Sequence, residues 1–194
     1  MPPVSLEEAA ASDAALLDER MLVEQARTDP DAFATLYRRY VSRVHAFAYR
    51  RSGSREVAED VTAATFERAL RGLPSFEWRG GGFGSWLFRI AANQLADHHR
   101  GDSRDARAHE ALASMAAGPA SNGSGGSRRA VGELRRALST LRPRYQEAIS
   151  LRYLAGLSHE EAAAALGVSK PVMAVTLHRA LAALRKAMEE REQA

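Results

Sequence analysis

Apolar residues recur at spacings of three and four along most of the chain, and no segment alternates long enough to predict a strand. From Asp18, one apolar face is formed by Leu22, Val23 and Ala26, and TDPDAF then breaks the pattern, with Asp29 and Pro30 making the next helix start. Phe33, Leu36, Tyr37, Tyr40, Val41, Val44, Phe47 and Ala48 mark an amphipathic helix of about sixteen residues. Gly53 and Ser54 end it. In the helix predicted from Glu56 to Leu70, Val57, Val61, Ala64, Phe66 and Leu70 supply packing, while Glu59, Asp60, Glu67 and Arg68 stay polar. Gly72 and Pro74 close it. Gly80, Gly81, Gly82 and Gly84 then predict a flexible loop flanked by Phe76, Trp78, Phe83 and Trp86. Ser85 is placed to cap a helix with Trp86, Leu87, Ile90, Ala91 and Leu95 facing a core. Arg89, Asn93, Asp97, His98, His99 and Arg100 lie on or near its polar side.

Residues 101–132 change regime. GPASNGSGGSRR is rich in Gly and Ser, cannot bury apolar surface, and reads as a flexible linker. Beyond it, Glu133 to Leu141 is helical, Arg142-Pro143-Arg144 starts another helix, and Ala148, Ile149, Leu151 and Leu154 face inward. Leu157 to Leu181 then reads as two short helices and a tight turn. Ser158 with Glu161 forms a capping box. Ala162, Ala163, Ala165 and Leu166 follow, and Gly167 supplies a left-handed stop. Ser169 caps the second helix, with Pro171 in its first turn. Val172, Val175, Leu177 and Leu181 extend the apolar pattern toward Leu184, and a charged helix runs on to about Glu190. Helix, glycine turn, helix is the helix-turn-helix layout, whose second helix commonly enters the DNA major groove.

The pattern therefore predicts an all-α fold. Two small helical domains, 18–100 and 133–194, are joined by the flexible linker 101–132, with a mobile N-terminal tail over 1–17 and the helix-turn-helix in the C-terminal domain. Composition narrows the chemistry. There is no cysteine among 194 residues, which excludes a disulfide framework, a thiolate metal site and a cysteine nucleophile. The N-terminus carries acids rather than a basic region followed by an apolar one, and no run of eighteen apolar residues occurs, so a signal peptide and membrane insertion are not expected. A cytoplasmic protein is. Residues 1–100 hold 13 Arg or Lys against 14 Asp or Glu, and residues 101–194 hold 14 against 10. Nearly all the cations are arginine, suited to bidentate phosphate and base-edge contacts, so the basic bias of the helix-turn-helix half fits a nucleic-acid partner.

No constellation points to an enzyme, a cofactor or a metal. Glu59 with Asp60 and Glu160 with Glu161 are adjacent on helices and diverge, and His98 and His99 lack a partner histidine at i+4. The segment from Phe76 to Arg100, by contrast, interleaves Trp78, Phe83 and Trp86 with Arg79, Arg89 and Arg100, as a single-stranded DNA platform requires.

These residues together resemble the bacterial RNA polymerase sigma factors of the extracytoplasmic-function type. DPDAFATLYRRYVSRVHAFAYR, AEDVTAATFERAL and SWLFRIAANQLADHHR are similar to successive parts of that family's region two. LRPRYQEAISLRYLAGLSHEEAAAALGVS and LHRALAALR are similar to its region four. The resemblance implies a protein that binds core RNA polymerase and directs promoter recognition, DNA opening and initiation. An anti-sigma factor is a further implied partner. Asp60, Thr65, Phe66 and Arg68 would contact core polymerase. Arg79, Phe83, Arg89, Asn93, Asp97 and Arg100 would engage the minus-ten element and hold a flipped base. Ser169, Lys170, Val175, Thr176, His178 and Arg179 would read the minus-thirty-five element. The recognition helix departs from the family pattern, because Ala174 and Thr176 stand where basic residues are common. Each missing bidentate pair removes about 1–3 kcal/mol of base discrimination. A rival reading is a helix-turn-helix regulator that binds duplex DNA without joining polymerase; it leaves the Trp-, Gly- and Arg-rich segment without a role.

Overall fold

The computed structural model describes residues 18–78, 80–110 and 126–192. The expected N-terminal tail and the middle of the expected linker lie outside them. The fold is all-α, with no strand among the described residues. In order come α1 (18–25), α2 (Pro30–Ser52), α3 (Arg55–Gly72), a 3-10 turn (Leu73–Ser75), α4 (Gly82–Glu110), α5 (Gly126–Thr140), α6 (Pro143–Ile149) continued by a π-helical turn (Ser150–Leu154), α7 (His159–Leu166) and α8 (Lys170–Glu192).

The boundaries follow from side-chain capping. Asp29 precedes α2, and its carboxylate accepts from the Asp31 N–H at 2.9 Å, with Pro30 at the first helical position. Both choices satisfy or remove amide groups that the first turn leaves unpaired. Gly53 ends α2 at φ +80°, in the left-handed region that favours glycine. Ser54 then caps α3, accepting from the Val57 N–H at 3.2 Å. In the C-terminal half, the Ser158 hydroxyl accepts from the Glu161 N–H at 3.1 Å while the Glu161 carboxylate accepts from the Ser158 N–H at 2.7 Å. That is the reciprocal capping box the sequence predicts. Gly167 closes α7 at φ +67°.

Packing is built on α2. Its Leu36, Val44, Phe47 and Ala48 are buried against Val61 and Phe66 of α3 and against Leu87, Phe88, Ala91 and Leu95 of α4. Phe47 meets Phe88 edge to face at 5.5 Å, the arrangement aromatic quadrupoles favour. In the C-terminal half, Ala162, Ala163 and Ala165 of α7 are buried beside Met173, Leu177 and Ala180 of α8. The small alanines let the two helices approach closely, which fixes the angle of the helix-turn-helix.

Three expectations are corrected. Ser85 does not cap α4, because the helix already starts at Gly82; the buried Ser85 hydroxyl instead donates to the Gly81 carbonyl at 2.5 Å. The apolar stripe of α8 runs through Met173, Leu177 and Ala180 and leaves Val172, Val175 and Leu181 exposed. Leu70, expected in the core, is 52% exposed. Helical backbone also enters both ends of the segment read as linker: α4 continues to Glu110 and α5 begins at Gly126.

Candidate nucleic-acid interface

The glycine-rich loop sits on a ring of aromatic side chains. Phe76, Phe83 and Trp86 are mutual neighbours, with centroid separations of 4.9 to 6.0 Å, and Phe83 also meets Tyr40 at 5.6 Å. Phe83 is fully buried in this ring. It packs in this structure rather than standing open as a minus-ten contact. Gly81 and Gly82 hold φ of +90° and +71°, so the chain reverses there at little cost only because both lack a side chain.

The loop is anchored from α1. The buried Glu19 carboxylate accepts a short hydrogen bond from the Tyr40 hydroxyl and lies beside Gly82, at the start of α4. Gly84 lies against the Tyr40 ring. Burial first, and the bond to Glu19 second, push the Tyr40 phenol well above its ordinary pKa of 10.0. The folded chain therefore keeps a proton that the unfolded chain releases above pH 10, and this group's contribution to stability is present below that pH and lost as pH rises beyond it. Urea midpoints measured from pH 8 to 11 should fall with pH in the wild type. Tyr40→Phe should start lower and fall less steeply. Parallel slopes would contradict the assignment.

On α4, Arg89, Asn93 and Asp97 are spaced by four and stand exposed on one face, since residues four apart share a helix side. The structure therefore brings together three of the expected minus-ten residues. Arg79 and the Arg100 side chain lie outside the described residues. Arg68 of α3 comes within 4.0 Å of Asp97, so residues expected to serve polymerase and DNA separately meet at the edge between α3 and α4.

On α3, Asp60 and Arg68 are exposed, as a contact requires, whereas Thr65 and Phe66 are buried. The Thr65 hydroxyl donates to the Val61 carbonyl at 2.6 Å, and Phe66 packs edge-on against Tyr37 at 4.7 Å. Both side chains are turned into the core, unlike the exposed Asp60 and Arg68. Glu67 and the exposed Leu70 share the accessible face instead. Sequence reading missed Leu70 because its spacing from Phe66 mimics a core position.

Lys170 begins α8 directly after Ser169, and Val175, His178 and Arg179 are exposed beyond it. Val175 is 50% exposed, but Thr176 only 8%. Thr176 lies at the register of Met173 and Ala180, yet it still lines the groove beside the helix. A groove of about 500 Å³ runs beside the helix, lined by Val172, Val175 and Arg179 and, from the preceding segment, Arg142, Arg144 and Tyr145. Arg142 and Arg144 were not among the expected site residues. The Arg-Pro-Arg motif next to a helix-turn-helix was the available signal. Three guanidinium groups around an apolar strip form a surface suited to a phosphate backbone and a base methyl.

Among the described residues no helix is long and apolar enough to cross a membrane. The family description "Sigma-70 region 2" matches residues 36–105, and "Sigma-70, region 4" matches residues 132–184. The ECF RNA polymerase sigma factor BldN of Streptomyces coelicolor is 34% identical over 199 residues, covering 94% of this chain and 69% of BldN. CnrH, solved in complex with the cytosolic domain of CnrY, superposes with a TM-score of 0.65 at 25% identity, over 89% of this chain and 97% of that one. The sigma factor RpoE, co-crystallised with the anti-sigma factor NepR from Bartonella quintana, superposes with a TM-score of 0.57 at 27% identity, over 81% and 96%. With both regions in order, and a 34% identical relative matched across nearly the whole chain, this protein belongs to the extracytoplasmic-function sigma factors of bacterial RNA polymerase.

Proposed function

We propose that the chain joins core RNA polymerase through the exposed face of α3, with Asp60 and Arg68 as contacts and Leu70 as their apolar neighbour. The α4 face of Arg89, Asn93 and Asp97, with Arg79 and Arg100, engages the minus-ten element. The α8 face of Ser169, Lys170, Val175, His178 and Arg179 reads the minus-thirty-five element, and Arg142 and Arg144 hold its phosphates. The observation that carries this reading is the pairing, in one chain, of a capped helix-turn-helix with an open basic groove and a separate arginine- and asparagine-bearing helix face beside an aromatic ring. A duplex-binding regulator needs only the first.

The chain brings no catalytic group of its own. It supplies binding energy that favours the opened duplex, at a cost of a few kcal/mol per unstacked base. It works in the cytoplasm, where polymerase and promoters are, and an anti-sigma factor is a natural partner because both solved relatives above are partner complexes. Core polymerase mixed with the protein and genomic promoter fragments is expected to start transcripts at a defined subset without ATP-driven remodelling. Asp60→Ala with Arg68→Ala should lower affinity for core polymerase while leaving the circular dichroism unchanged. Absence of both binding and promoter-specific initiation would refute the proposal.

A further inference from the structure

The promoter reading gives α1 no role, yet side chains of α1 and of the turn that ends it meet the glycine-loop segment in order. Arg27, in that turn, donates from Nη1 to the Pro74 carbonyl at 2.8 Å and from Nη2 to the Phe76 carbonyl at 2.7 Å. A guanidinium presents its donors in a rigid planar fork, so two carbonyls on one fork are fixed relative to each other. Glu24 of α1 pairs with the Arg27 Nε at 2.9 Å and steadies the fork. Further along the loop segment, the Arg20 guanidinium lies over the Trp78 ring at 5.9 Å, within the range of a cation–π attraction. At the far end, the buried Glu19 carboxylate accepts from the Tyr40 hydroxyl. A Cβ on Gly82 would stand 3.1 Å from the second Glu19 oxygen, and one on Gly84 would stand 3.0 Å from the Tyr40 hydroxyl. Gly82 and Gly84 are thus seated against the Glu19–Tyr40 pair.

The start of α1 is itself fixed to α2. Asp18 pairs with Arg39 at 2.9 Å, one position before each member of the Glu19–Tyr40 bond. A brace therefore runs from α2 through α1 to both ends of the loop, with Arg27 before it and Glu19 and Tyr40 behind it. Between those ends, Gly81 and Gly82 hold positive φ. Glycine loses more conformational freedom on ordering than any other residue, so a loop of this composition keeps one shape only when its ends are held. Arg79, assigned above to the minus-ten element, falls within the braced interval of the sequence.

We propose that Arg27, and Glu19 acting through Tyr40, are positioning residues for capture of the minus-ten single strand, holding the glycine loop in the shape that receives it. This role rests on the promoter reading above. A loop that is competent only part of the time binds more weakly by that fraction. The brace raises the fraction without adding a DNA contact. It therefore acts on single-strand capture, and leaves the duplex contacts of α8 and the polymerase face of α3 as they are.

The test uses the full chain assembled with core polymerase. Arg27→Met keeps the alkyl stem of a side chain that is already 29% exposed, and Tyr40→Phe removes a single hydroxyl. Glu19→Gln keeps an oxygen that can accept from Tyr40, whereas Glu19→Ala does not. The probes are the non-template minus-ten single strand and the duplex minus-thirty-five fragment of a promoter at which the wild-type holoenzyme initiates. Arg27→Met, Tyr40→Phe and Glu19→Ala should each weaken single-strand binding about tenfold, as expected if a loop released at one end is competent about a tenth of the time. Glu19→Gln should match the wild type. Affinities for the duplex fragment and for core polymerase should be unchanged in all four variants. Amide exchange should quicken at residues 80–84 in the three weakened variants, while α7 and α8 keep their wild-type protection. A merely structural role would lower the three affinities together, or none of them. An unchanged ratio of single-strand to duplex affinity overturns the proposal. So does single-strand affinity lost without faster exchange in the loop, or Glu19→Gln as weak as Glu19→Ala. In each of these cases initiation by the wild-type holoenzyme leaves the promoter reading standing. If the wild-type holoenzyme initiates at no promoter fragment, the promoter reading falls and this role falls with it.

Discussion

Replacing Phe83 by alanine is expected to destabilise the protein by about 3–5 kcal/mol, the range for deleting a large buried aromatic. The magnitude follows from its position, fully buried and touching Tyr40, Phe76 and Trp86 in edge-on or tilted contacts at 5.5 to 6.0 Å. Each such pair adds about 0.5–1.5 kcal/mol beyond burial. Its removal leaves a cavity between Tyr40, Phe76 and Trp86. With native stabilities of only about 5–15 kcal/mol, a loss of this size shows in a urea melt as a large drop in midpoint. The measurement also separates two roles. A residue that held a flipped base would leave the melt unchanged and slow promoter opening, so an unaltered midpoint with lost opening would restore the base-contact assignment. Phe83→Leu should recover most of the stability, because it refills most of the volume.

The same residue shows what could be read from sequence and what could not. Element identity was legible wherever apolar spacing and capping agreed, as at Asp29, Ser54, Ser158 and Gly167, because these are local interactions within one helical turn. The ends of α4 and α5 were not, since the sequence beyond Arg100 and before Glu133 carries no apolar stripe to give a periodic signature. Side-chain direction was the least legible feature of the candidate site. Thr65, Phe66, Phe83 and Thr176 were all expected as contacts, yet their side chains are buried. A motif fixes position along a helix, whereas burial depends on which neighbour packs there, and a rotation of one position exchanges Val175 for Thr176. The contacts between the halves were illegible for a different reason. Arg135 meets Arg50 across 85 positions, and no local pattern encodes a pairing at that separation.

The α8 groove yields the second large effect. Removing Arg142, Arg144 and Arg179 together is expected to weaken duplex promoter binding by about two to three powers of ten at moderate salt. Each lost phosphate contact lowers the slope of log affinity against log salt by about 0.9, so the triple variant should lose about two from that slope. The individual residues should divide the effect unequally. Arg142 and Arg144 precede the recognition helix and line the groove wall, which suits them to backbone phosphates. Arg142→Ala with Arg144→Ala should therefore weaken all duplex sequences about equally and flatten the salt dependence. Arg179, on the exposed face of α8 one turn beyond Val175, is positioned for a base edge. Arg179→Ala should relax discrimination at one base pair by about 1–3 kcal/mol, with a smaller change in salt slope. Competition assays across a salt series, with cognate and single-substituted duplexes, measure both quantities. Should Arg142→Ala with Arg144→Ala alter specificity while Arg179→Ala leaves it intact, the roles are reversed and α8 enters the groove from its other side. Should none of the three matter, DNA binds elsewhere, and the open groove beside α8 belongs to a protein partner instead.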